Sequence, residues 1–259
     1  MAPRPLGRAL SPAPEIGTGT SDSSTGTSTP STGTAAPPTG TSTPPTDRTR
    51  VRRHPERGEY DRETVRRILD EALIVHVAWV EDDGSPRLIP TLHARVGDTL
   101  YVHGSRASQT MRALHAGAEV CVAATIVDGL VFARSLFHHS MNYRSVVVYG
   151  RAREVTDGEE FDAMARALAD HVAPGRGAEA RLPTADEFRQ TLILAVPIEE
   201  ASAKVREGPA VDDETDLGLP VWAGVLPLGL AIGTPEPDAA LADDIPTPDY
   251  ITDYRRPNA

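Results

Sequence analysis

Cysteine is almost missing from this 259-residue chain. Its single Cys121 excludes an internal disulfide and the usual multi-cysteine zinc sites. Cys121 lies in the apolar run from Val120 to Ala124 and reads as inert core rather than as a nucleophile. Basic charge is in deficit too. The formal net charge of −11 argues against nucleic acid as the main partner. No apolar run reaches the roughly 18 residues that a transmembrane helix needs. Arg4 and Arg8 stand near the start without an apolar stretch after them, so no signal peptide is expected and the cytoplasm is the default location. There is no Gly-x-Gly-x-x-Gly and no Walker-type loop, which removes the familiar dinucleotide and triphosphate cradles.

Ser, Thr, Gly and Pro are plentiful at one end. Residues 17–46 contain almost nothing else, and Thr25-Gly26-Thr27-Ser28-Thr29-Pro30 recurs as Thr39-Gly40-Thr41-Ser42-Thr43-Pro44. Such a stretch buries too little surface to offset its ordering entropy. We therefore expect a disordered tail over residues 1–50, one folded domain over 51–230, and an acidic, Pro-rich tail over 231–259 that docks loosely.

Within the domain, Asp61 caps a helix whose Val65, Ile68, Leu69, Ala72 and Leu73 form one apolar face, with Tyr60 and Val65 as a hydrophobic staple. Strands are expected at 74–80, 87–94 and 99–103. His76 and Trp79 read as core residues of the first. A short helix is expected at 106–115, capped by Ser105 and stopped by Gly117. Residues 119–127 and 130–136 read as a hairpin about Asp128-Gly129. A long strand follows at 143–155, then a helix marked by Phe161, Met164, Ala165, Leu168 and Ala169. Thr184 and Glu187 form a capping-box pair. Further strands are expected at 192–198 and 202–206. Strands come in runs instead of alternating with helices. That pattern indicates a mainly β, α+β fold: an antiparallel barrel or sandwich with attached helices.

The strand-to-helix junction at 103–112 carries the most chemistry. Free backbone N–H groups at a helix start, two hydroxyls (Ser105 and Ser108) and two cations (Arg106 and Arg112) suit an anion. A plain capped helix with solvated arginines fits the same spacing. His138-His139-Ser140 is a second cluster. Adjacent strand residues face opposite sides, so one imidazole at most faces any one site. A pocket donor and a polar bend are both open readings, and no acidic or cysteine ligand stands at metal-site spacing. Lys204 and Arg206 alternate with apolar neighbours and can share one groove. Trp222 can stack on a ring or anchor the chain after residue 206.

Several stretches then fit one pattern. Leu88-Ile89-Pro90-Thr91-Leu92 and Gly97-Asp98-Thr99-Leu100-Tyr101-Val102-His103-Gly104-Ser105-Arg106-Ala107-Ser108 resemble the split-barrel flavin-binding family around pyridoxamine 5′-phosphate oxidase. Arg53-His54-Pro55-Glu56-Arg57, Phe137 to Val146, Ala201 to Arg206 and Pro220 to Val225 are similar to its bacterial flavin-nucleotide-binding branch. The resemblance spans about residues 50–230 and implies an antiparallel FMN-binding split barrel with flanking helices. It also implies a homodimer with FMN at the interface. Leu88, Ile89, Pro90 and Thr91 would line the isoalloxazine with backbone groups. His103, Gly104, Ser105, Arg106, Ser108 and Arg112 would surround the phosphate. Ser145 would reach the flavin from the partner chain, and Trp222 would flank it. His139 is the expected catalytic donor, and Lys204 and Arg206 the expected substrate contacts, in a probable oxidoreductase. Two departures stand out. Ala107 follows Arg106 where the oxidases carry lysine, and their Trp-x-x-x-Arg-x-His-like segment is missing, so a vitamin B6 phosphate is not implied as substrate. A non-catalytic flavin carrier or sensor, a haem-binding relative using a histidine, and deazaflavin use stay open.

Overall fold

A computed structural model describes residues 43–256. The tail expected over residues 1–42 lies outside the described residues. In chain order the elements are β1 (Gly58–Glu59), α1 (Arg62–Glu71), β2 (Val75–Val80), β3 (Pro86–Thr91), β4 (Ala94–Val96), β5 (Thr99–Ser105) and α2 (Gln109–His115). They continue with β6 (Glu119–Phe132), β7 (Ser140–Arg151), β8 (Arg153–Glu154), α3 (Gly158–Val172), α4 (Arg176–Glu179) and α5 (Ala185–Gln190). The last are β9 (Thr191–Pro197), β10 (Glu200–Arg206), β11 (Gly224–Pro227) and α6 (Asp249–Thr252). No helix among the described residues is long and apolar enough to cross a membrane.

The strands form two antiparallel sheets, ordered β1-β10-β7-β6-β2-β3 with β11 on β6, and β4-β5-β9-β8. Period-two alternation decides what each strand buries. Val75, Val77 and Trp79 of β2, Val120, Val122 and Ala124 of β6, and Val146 and Val148 of β7 point inward. Leu192, Leu194 and Val196 of β9 meet them from the other sheet, with Ile68 and Leu69 of α1 and Met111 and Leu114 of α2 closing the interior. A smaller cluster lies behind β5 and β9, where Tyr101, Ile193 and Ala195 pack on Phe161 and Met164 of α3. Local signals hold where they are strong. Asp61 accepts a hydrogen bond from the Thr64 N–H at 2.8 Å and starts α1. Thr184 and Glu187 make the expected capping box on α5.

Several expectations are corrected. Residues 119–136 contain no hairpin. β6 runs straight through Asp128-Gly129, with only a register shift between Val127 and Gly129. β11 pairs Pro227 with Gly129 and Gly224 with Phe132, and so holds those residues as strand. The helix expected at 106 begins at Gln109 with Ser108 as its cap, because β5 stays paired to β9 out to Ser105 and Thr191. His76 and Cys121 are not interior residues: they alternate with the core positions and lie on the outer face of the larger sheet. Residues 46–50, read as tail, are docked. Thr49 is buried, and Arg48 pairs with Glu119 and Glu200 and sits 4.8 Å over the Tyr149 ring. The far end of the C-terminal tail is also anchored, through the buried Arg256.

One buried pair gives the fold a pH dependence. His93 is fully buried. Its Nε2 bonds the Leu69 carbonyl at 2.8 Å, and its ring lies 4.2 Å from that of His171. Burial first, and the second imidazole next, push its pKa down to about 4 from 6.5. The unfolded chain therefore takes up this proton first as pH falls. The stabilising term is complete above pH 6.5 and is lost as pH drops toward 4. His171 is lowered in the same direction, again mainly by burial. We expect about 2 kcal/mol to be lost between pH 6.5 and 5 in urea denaturation, and His93→Gln to flatten that slope. A slope unchanged by the substitution would assign the acid sensitivity elsewhere.

Candidate functional site

The turn between β5 and α2 is built from its own side chains. The Ala107 N–H donates to Ser105 Oγ at 3.2 Å, and the Ser108 N–H donates to the Ser105 carbonyl at 2.9 Å. Ser108 Oγ accepts from the Met111 N–H at 3.5 Å as the cap of α2. Both hydroxyls act as acceptors inside the turn and keep their O–H free to donate outward. Arg112, one turn into α2, is exposed and makes no ion pair among the described residues. Exposed Ser105, half-buried Ser108 and exposed Arg112 thus lie along one turn and the first turn of α2.

The neighbouring residues do other work. Arg106 is turned aside: it pairs with Glu154 at 2.5 Å and donates from Nε to the Arg189 carbonyl at 3.1 Å. Gly104 faces the interior, where an added Cβ would stand 2.9 Å from Met111 Cγ, so its lack of a side chain lets α2 close on β5. His103 faces the opposite side of β5 and lines a cavity of about 550 Å³ beneath α3, with Met164, Arg166, Leu168 and Ile193. Among the described residues its buried Nδ1 has no partner, and burial lowers its pKa. Thr191, opposite Ser105 in register, lines the same cavity.

β3 is the edge strand of the larger sheet. Ile89 packs on the core, while Leu88 and Pro90 lie on the outer face opposite Ala78 and His76. The free edge of β3, including Thr91, leaves backbone groups unpaired for a ligand. The outer face continues as Cys121 and Tyr149, then Ala123 and Val147, then Thr125, Ser145 and Lys204. Ser145 and Lys204 are direct partners, and Ser145 Oγ donates to the Lys204 carbonyl at 3.3 Å. Lys204 Nζ donates to the Arg53 carbonyl at 3.1 Å. Arg206 contradicts its expected role as an open substrate contact. It is buried and held by Asn142 Oδ1 and the Pro209 carbonyl. Arg144, in the Phe137 to Val146 stretch, points to Glu71 and Asp128 and is structural.

The second cluster lies where β6 ends. His139 accepts into its ring system an edge contact with Phe132 at 5.9 Å, and Phe132 lies 5.8 Å from Trp222. His139 Nδ1 bonds the Ser135 carbonyl at 3.0 Å, while His138 Nε2 is engaged by Asp213 at 3.3 Å. Leu136 and Phe137 are 91% and 88% exposed, and Trp222 is 68% exposed. Sequence reasoning named His139 and Trp222 but missed Phe132, Leu136 and Phe137; three large apolar side chains within six residues of a histidine pair were the available signal. β6 separates the two clusters. α2 leads into its start and the 133–139 segment leaves its end, and fourteen residues of strand span about 40 Å. Among the described residues no three His, Cys, Asp or Glu side chains assemble into a metal cluster.

Two antiparallel sheets closed on one interior, with helices at the flanks, define a split-barrel protein. The model of the pyridoxamine 5′-phosphate oxidase family matches residues 61–205, and the chain belongs to that family. It is similar to the flavocytochrome Anf3 from Azotobacter vinelandii, at 39% identity and a TM-score of 0.76, over 82% of this chain and 98% of that one. It is also similar to an FAD- and haem-binding protein from Mycobacterium smegmatis, at 37% identity and a TM-score of 0.72, over 76% and 96% of the two chains. No curated protein sequence matches it significantly.

Proposed function

We propose that this protein binds a flavin nucleotide and haem and moves electrons between them as a homodimer. The observation that carries this reading is the likeness, above 35% identity and across nearly the whole of both relatives, to a flavocytochrome and to a protein that binds FAD and haem. A bound flavin supplies hydride and single-electron chemistry and haem supplies single-electron chemistry. The chain supplies binding, orientation and cover.

The flavin phosphate fits the turn at Ser105 and Ser108. Their hydroxyls, the exposed backbone N–H groups and the uncommitted Arg112 are the donors, while Arg106 is held by Glu154 and contributes little. FMN, expected from the resemblance, and FAD share this phosphate, and the mass of the extracted cofactor separates them. The free edge of β3 offers backbone groups to the ring. The outer sheet face suits a second copy: it is broad, lined by Ala78, Ala123 and Val147, and carries Leu88 at 61% exposure. A two-fold axis set perpendicular to β6 there would bring the His139 end of one β6 near the turn end of the other. An anionic substrate of the vitamin B6 phosphate kind is not favoured, because Arg206 is buried and Lys204 already bonds a carbonyl.

The purified protein should show flavin bands together with a Soret band. Ser105→Ala with Ser108→Ala should weaken flavin binding by about 1–3 kcal/mol, as for lost hydrogen bonds to a charged group. Arg112→Ala should lower the salt dependence of that binding. Ser108→Ala also removes a helix cap worth about 1 kcal/mol, so affinity is to be measured well below the melting transition. Unchanged flavin affinity in the double variant places the phosphate elsewhere. A protein that takes up neither cofactor overturns the proposal.

A further inference from the structure

We infer that His139 is the axial ligand of the haem and that the 132–139 segment with Trp222 is the apolar face on which the macrocycle lies. The inference rests on the proposed function for the presence of haem, and on this chain's own geometry for the residue.

Haem needs two things from a protein: a donor atom aimed at the iron, which an imidazole nitrogen can supply, and apolar area for the ring. A ligating imidazole bonds the metal through one nitrogen while its other N–H is held by a carbonyl or carboxylate, which fixes the tautomer and the ring plane. His139 is arranged in this way. Nδ1 donates to the Ser135 carbonyl at 3.0 Å, four residues back along the chain, and Nε2 is left bare. Phe132 sets its edge contact with the ring at 5.9 Å and limits rotation. The other histidines within reach of an exposed apolar surface are less suited. His138 already uses Nε2 on Asp213 at 3.3 Å. His76 stands on the outer sheet face between Pro90 and Ala123 without a hydrogen-bond partner to fix its ring among the described residues.

The apolar area is equally specific. Leu136 and Phe137 expose 91% and 88% of their surface, and Trp222 exposes 68%. Two large, almost fully exposed apolar side chains on the loop that carries His139, and an exposed tryptophan joined to that loop through Phe132, offer apolar area that water solvates poorly, and such area marks binding faces. Trp222 is held in place from below, because Gly224 has no side chain and a Cβ there would stand 2.9 Å from the indole. A macrocycle seated over His139 would lie against the apolar side chains of this loop and Phe132.

The test uses the full-length protein loaded with haem and read by absorbance and electron paramagnetic resonance. Wild type, His138→Ala and His76→Ala should share one imidazole-ligated spectrum. His139→Ala should lose it and bind haem more than about tenfold more weakly, with flavin content unchanged. His139→Gly should recover the wild-type spectrum on addition of imidazole. A His139→Ala protein with the wild-type haem spectrum overturns the inference and leaves the flavin and haem reading standing. A spectrum lost in His76→Ala instead moves the ligand to the sheet face and overturns it as well. A wild-type protein that binds flavin but no haem overturns the haem half of the proposed function. The exposed patch would then belong to contacts between copies, which light scattering of Phe137→Ser reads directly.

Discussion

Arg144→Ala should cost about 3–5 kcal/mol of folding stability, the range for removing one partner of a buried ion pair. Arg144 rises from β7 between two carboxylates. Its guanidinium bonds both oxygens of Glu71 and donates to Asp128 at 2.6 and 3.0 Å. Glu71 is buried, and Arg144 keeps only 18% of its side chain exposed. The bonds to Asp128 and then Glu71 hold the guanidinium charge more firmly than in water, against the cost of burial. Truncation leaves the Glu71 carboxylate buried without a counter-charge. Arg144→Lys keeps the charge but loses the fork that reaches both acids, so an intermediate loss is expected. Adding Glu71→Gln to Arg144→Ala should restore part of the loss, because the orphaned charge is gone. Urea denaturation of the four proteins reads the series. A loss below about 1 kcal/mol for Arg144→Ala would mean that water replaces the guanidinium freely.

Removing Arg256 should be nearly as costly, at about 3 kcal/mol, although it lies beyond the segment matched by the family model. Its guanidinium donates to the Asp70 carbonyl at 2.9 Å, to the Glu71 carbonyl at 2.9 and 3.1 Å, and to the His171 carbonyl. These are the carbonyls that α1 and α3 leave unbonded at their C-terminal ends. A cation there also meets the negative ends of both helix dipoles. Arg256→Ala removes the donors and should raise amide exchange in the last turn of α1. It should also let the His171 pKa rise, since Arg256 is the second cause of its depression after burial. NMR titration of His171 separates this from a general loosening. If exchange in α1 is unchanged, the cap is supplied by solvent and the arginine is dispensable.

These two residues show where reading the chain by eye reaches its limit. Asp61 on α1 and the Thr184–Glu187 box on α5 were visible because a cap and its target sit within three residues. The start of α2 was misplaced by three residues because Ser105 and Ser108 both satisfy the rule for a cap, and strand pairing to β9 chose between them. Asp128-Gly129 has turn chemistry, but β11 arrives nearly a hundred residues later and holds it extended. At the site, Ser105, Ser108 and Arg112 were found together because they belong to one local turn. Arg106 and Arg206 carry the same charge as Arg112, yet Glu154 and Asn142 occupy them from distant strands. Spacing alone could not say which cations were free.

β6 presents two unrelated sets of residues along a single strand. Val120, Val122 and Ala124 belong to the interior, and Cys121, Ala123 and Thr125 to the outer face. Because the two sets interleave without touching, a lineage can rewrite what the outer face carries while every buried neighbour stays as it was. The register shift near Gly129 reverses that alternation, so that beyond it Val131 is buried and Leu130 faces outward. Up to Val127, a scaffold of this kind can change cargo through its odd-numbered positions and inherit its stability through the even ones.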